Sequence, residues 1–160
     1  MLMLELIGLC ALFFLLCYMG TGTDEKNIKS YSSYPDAIQH IVRNNQSLKT
    51  KIKVQSPAVT FLSNVVLFSV ILFVLGLPIR SDSVLLNFSK LSILGQGLNA
   101  FDFAVIDLLW WRNSPRVRFT GTEHMAEVYR DPRKHAESFV RGVGAFLVVA
   151  VLDGFLLSLI

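Results

Sequence analysis

Two carboxylates, Asp102 and Asp107, lie inside an otherwise apolar stretch, residues 91–111, together with the amides of Gln96 and Asn99. A charge at bilayer depth costs roughly 2.5–3.5 kcal/mol, so it faces protein or a polar cavity and marks proton, ion or substrate handling. At about 100° per residue, Gln96, Asn99, Asp102 and Asp107 fall within an arc of about 140°, opposite a side of Leu, Ile, Val and Ala. Arg141 and Asp153 bring charge to the last apolar stretch, 139–160. If the two stretches run antiparallel, Arg141 and Asp107 share a depth, and a pair between them lets both stay charged. Asp153 lies deeper, with Glu5 expected nearby as a carboxylate with which to share a proton or a cation.

A second group of residues has the chemistry of an anion site. Arg112, Arg116 and Arg118 follow the third apolar stretch, and a guanidinium grips phosphate bidentately. Thr21-Gly22-Thr23-Asp24 is echoed by Thr120-Gly121-Thr122-Glu123. Thr and Gly suit helix caps and turns, and two caps that meet would offer backbone amides to an anion or a lipid headgroup.

Other chemistry finds little footing. There is no phosphate-binding glycine loop, no H-E-x-x-H and no G-x-S-x-G, so no catalytic residue stands out. His124 and His135, with Glu123 and Asp131, match no standard metal spacing, and solvated loop histidines are expected. Cys10 and Cys17 share a helix face but sit two turns apart, too far for a disulfide. Neither a metal nor a cofactor is expected.

Composition dictates what must position these groups. Of 160 residues, 52% are hydrophobic and only 17% charged, which sets the chain apart from the average soluble domain. Residues 1–19, 58–79, 91–111 and 139–160 are each long enough to cross a ~30 Å hydrocarbon core as a helix. The expected fold is therefore all-α, an integral membrane four-helix bundle forming one domain over 1–160, with no room for a second core. The first stretch has no Lys or Arg before it and no small-residue cleavage pattern, so it is expected to be retained.

Lys and Arg number twelve in segments 20–57 and 112–138 together, against two in 80–90. The positive-inside rule then makes the first two cytoplasmic loops and leaves both termini outside. The basic balance is a topology signal that needs membrane lipids, and no nucleic acid, as partner. Within the first loop, Tyr34-Pro35-Asp36 opens a short helix with Ile38, Ile41 and Val42 on one side, expected to lie on the membrane surface. In the second, Thr120 and Glu123 stand in capping-box spacing ahead of a helix reaching Tyr129, and Pro132 begins the helix that leads into the last span.

The stretch from Asn99 through Trp110-Trp111-Arg112 to Thr120-Gly121-Thr122, with Thr21-Gly22-Thr23-Asp24, resembles a group of small bacterial multi-pass membrane proteins. That group carries no assigned activity; the resemblance implies the bacterial cytoplasmic membrane and transfers no functional residue. Two functions fit the residues. The first is a transport-related or partner-binding subunit in a homo-oligomer or with a protein partner, using the polar face of the third span. The alternative is a membrane-embedded enzyme or lipid-binding protein acting on a phosphorylated or lipid substrate at the cytoplasmic face.

Overall fold

A computed structural model describes all 160 residues, Met1–Ile160, and contains helices and turns but no strand. Four helices are long and apolar enough to cross a membrane, which supports a multi-pass membrane protein. The first, Leu2–Met19, and the second, Pro57–Gly76 with a 3-10 extension Leu77–Ile79, end where hydropathy places them. Ser56 caps the second through Val59 N–H, and Pro57 occupies the first turn, where a missing N–H costs nothing.

The third helix starts seven residues earlier than expected, at Val84. Its polar first turns are accommodated one donor at a time. Ser83 Oγ accepts from Leu86 N–H, the Asn87 amide donates to the carbonyls of Ser81 and Gly154, and Lys90 donates to the Ile79 carbonyl. From Asp102 to Trp110 the helix changes to π geometry, and a 3-10 turn, Trp111–Asn113, closes it. The fourth, Arg133–Ser158, also begins before its apolar stretch, with Asp131 Oδ1 accepting from Arg133 N–H.

The chain divides into two compact units. One consists of Met1–Ala11, Gln55–Phe101 and Phe139–Ile160. Here the third and fourth helices run antiparallel in close contact. The Gln96 amide donates to the Val143 carbonyl at 3.0 Å and the Asn99 amide to the Phe139 carbonyl at 3.1 Å. Close approach needs glycine at specific points: a Cβ on Gly142 would collide with the Asn99 carboxamide, and one on Gly154 would meet the backbone of Phe88. Ala150 is fully buried with Gly154, as small residues in a packed seam should be, whereas Ala100 and Ala104 face outward.

The other unit consists of Leu12–Val54 and Asp102–Ser138, so the two basic segments meet in it. The amphipathic helix, Asp36–Asn44, forms as expected, but Ile38 and Val42 on its apolar side are covered by protein, and Ile41 alone of the three is exposed. Ile38 and Val42 pack with Ile28, Tyr31, Tyr34, Leu48, Trp111, Val117, Phe119 and Tyr129 in a core of their own. Tyr34 is its centre: fully buried, with Trp111 and Phe119 at 4.8 and 4.9 Å between ring centres, and its hydroxyl donates to the Val117 carbonyl at 2.9 Å. Burial pushes the Tyr34 phenol well above its ordinary range, so the hydroxyl keeps the proton it donates.

Candidate functional site

The π segment Asp102–Trp110 is the least ordinary piece of backbone in the molecule, for such turns are rare and cluster at functional sites. Its hydrogen bonds close over five residues instead of four, which is the separation of Asp102 and Asp107. On an α-helix these residues would stand at the two edges of the polar arc; the π register turns them toward one side. The sequence pattern alone places Gln96, Asn99, Asp102 and Asp107 together, but the structure divides them by use. Gln96 and Asn99 are tied to main-chain carbonyls of the fourth helix, as above, while Asp102 makes no ion pair.

Asp107 pairs with His135. Its Oδ1 lies 2.8 Å from Nδ1, with the histidine side chain only 4% exposed and the aspartate 14%. This corrects the expectation of a solvated loop histidine and gives Asp107 a buried partner from the start of the fourth helix. Arg141 is exposed and belongs to the long-helix unit. The Trp111 ring stands edge-on to the imidazole at 4.7 Å, so the pair sits against the margin of the aromatic core. His135 Nε2 is buried and has no hydrogen-bond partner. A carboxylate on Nδ1 orients the ring and favours the tautomer protonated there, which leaves Nε2 as an unmatched lone pair. A signal for this histidine was present in the sequence: His135, Phe139, Gly142, Phe146, Val149 and Asp153 recur at helical spacing, and the last three are buried.

The TGT echo does meet, though not as an anion cradle. Gly22 and Gly121 are the two glycines with positive φ, 108° and 86°, the left-handed conformation that makes both turns possible. The amides that would hold an anion are already engaged. Thr120 N–H donates to Asp24 Oδ1, Gly121 N–H to Glu123 Oε1, and Gly22 N–H to the Arg116 carbonyl. The carboxylates of the motif itself take the place of the anion. Its own backbone N–H first, and then that of Gly121, hold the Glu123 carboxyl below the usual glutamate range. Thr21 spends its hydroxyl on the carbonyls of Cys17 and Tyr18, and Thr122 on that of Phe119. Thr23 caps Asp24–Asn27. The helix expected over 120–129 is reduced to Ala126–Tyr129, because Gly121 turns the chain.

Asp153 is fully buried, and its Oδ1 accepts from the Ser69 hydroxyl at 2.6 Å; no hydrogen bond joins it to Glu5. Arg116 lies over the Tyr18 ring and donates to the carbonyls of Tyr18 and Thr21, while Arg118 donates to the Glu123 carbonyl. Arg112 has no hydrogen-bonded partner at Nε. No three His, Cys, Asp or Glu side chains converge in a way that would hold a metal ion.

Comparison with protein-family models, curated proteins and solved structures finds no match.

Proposed function

We propose that the protein is a transport-related subunit of a membrane, with Asp102, Asp107 and His135 as a proton-exchanging centre. The observation that carries this is the Asp107–His135 pair: a carboxylate on a π segment, whose register turns Asp102 toward the same side, is committed to a buried histidine with Nε2 unmatched. Ionisable groups in such segments mark proton relays and ion paths in membrane proteins. The basic segments 20–57 and 112–138 then face the cytoplasm, and both termini lie outside. The bacterial cytoplasmic membrane is the proposed location, following the resemblance. Four spans enclose little room for a solute, so a homo-oligomer or a protein partner completes the path.

The test is proton movement. Purified protein is reconstituted into vesicles holding a trapped pH dye, and an imposed gradient is followed. Wild-type vesicles should lose the gradient several-fold faster than empty ones, while Asp107→Asn and His135→Gln should approach the empty rate yet still insert. Wild-type vesicles as tight as empty ones would sink the proposal. A second reading, an enzyme or lipid-binding protein acting on a phosphorylated or lipid substrate at the cytoplasmic face, is favoured by the unpartnered Arg112 Nε. It predicts phosphate release from such a substrate, lost with Asp107→Asn, in vesicles whose gradient persists.

A further inference from the structure

The ends of the first and third long helices come together through aromatic rings. Trp110 packs against Phe14 at 5.5 Å and Tyr18 at 6.2 Å. Just past this band stand two arginines. Arg112 lies in the turn that closes the third helix, and Arg116 has its guanidinium 4.0 Å above the Tyr18 ring. Aromatic rings followed by guanidinium groups are the usual furniture of a membrane–water interface.

Arg116 has a structural duty, because its Nη2 donates to the carbonyls of Tyr18 and Thr21 and so closes the end of the first helix. That uses one nitrogen of three, and a guanidinium carries five N–H donors. Arg112 makes no hydrogen bond or ion pair to protein, and the Nε of each is buried without a partner. The molecule's ion pairs draw on other cations, namely Lys51, Arg130, Arg133, Lys134 and His135. Arg112 and Arg116, like Arg118, thus lack a carboxylate while half-buried, and carboxylates nearby serve backbone amides. A charge taken part-way out of water without a partner is unfavourable, and an anion that presents two oxygens to the planar guanidinium fork is the complement.

We infer that Arg112 and Arg116 form a site for a phosphate group at the membrane surface, carried by an anionic lipid headgroup or by a free phosphate. The guanidinium groups do the recognising, since the backbone amides of the neighbouring TGT turns are already taken. The site is distinct from the Asp107–His135 pair and does not depend on proton exchange there.

Native mass spectrometry of the detergent-purified full chain tests it, with phosphatidylglycerol and phosphatidylcholine added at equal concentration. Wild type should retain several-fold more phosphatidylglycerol, and Arg112→Gln, which breaks no bond within the protein, should reduce that preference to near parity. Arg116→Lys keeps a donor for the helix carbonyls and should lose part of the preference. Lys49→Gln, which removes equal charge elsewhere, should lose none. Displacement of the lipid by inorganic phosphate at low millimolar concentration would assign the site to a soluble phosphate with the same residues. Equal retention of the two lipids by wild type, or an undiminished preference in Arg112→Gln, would overturn the inference. Asp107→Asn should leave lipid retention unchanged whatever happens to the proton gradient.

Discussion

In the unit of long helices, Gln96, Asn99 and Asn87 all donate to main-chain carbonyls of the fourth helix and Ser69 serves Asp153 Oδ1, while Asp153 Oδ2, Glu5 Oε2 and Ser92 Oγ are the buried atoms left unmatched. In the unit built from the connecting segments, polar groups keep capacity in hand: Asp102 without an ion pair, His135 with an unspent Nε2, Arg112 without a bond. The first set registers helices against one another, a use worth about 0.6 kcal/mol per hydrogen bond in membrane bundles. The second set stays chemically available because an aromatic core, and not those groups, holds the unit together. Polar side chains in apolar surroundings therefore fall into two kinds, told apart by whether their donors and acceptors are already matched.

The hardest blow to that contrast is Tyr34→Ala. Emptying the centre of the aromatic core should cost about 3–5 kcal/mol, and limited proteolysis should then cut within 28–48 while the long helices remain protected. Cleavage spread evenly along the chain would mean the two units are not separately sustained. Next comes Gly142→Val, which forces a side chain into the Asn99 carboxamide and should lower stability by about 1–3 kcal/mol, seen as a lower thermal midpoint in detergent. Adding Asn99→Ala should recover part of that loss, a coupling expected only between residues in contact.

Much of this was legible in advance. The four apolar helices were, because a run of about 20 apolar residues has few other uses. The polar first turns of the third helix hid its start, since Asn87, Ser89 and Lys90 look like a turn until their donors find carbonyls. The π segment has no periodic signature, so the polar arc was drawn with the wrong turn angle beyond Phe101. Ile38 and Val42 were correctly placed on one side of a helix, but what covers them, Tyr34 and its neighbours, comes partly from a segment some eighty residues away. His135 was hidden by the polarity around it, although its helical spacing with Phe139 and Phe146 pointed inward.

A smaller effect sharpens the comparison from the other side. Asn99→Leu should cost about 0.6 kcal/mol and leave the rate of proton loss from vesicles unchanged. A slower rate would move Asn99 from the registering set to the working one. Smallest is Glu123→Gln. The Glu123 carboxyl is held below the usual glutamate range, so its contribution is present at neutral pH and fades as pH falls through the folded value. Thermal midpoints measured down through the carboxylate range should therefore fall less steeply in Glu123→Gln than in wild type.

The aromatic core has a consequence for how the chain is made. Ile28 to Leu48 supply one half of it, and Trp111 to Tyr129 the other. At about 5–20 residues per second, the ribosome delivers the second half several seconds after the first. Throughout that interval the 36–44 helix has only Ile28, Tyr31, Tyr34 and Leu48 to set its apolar side against, half of the core that finally covers it. The surface expected to hold this helix permanently, the membrane, is well suited to hold it for those seconds and then give it up to Tyr129 and Phe119.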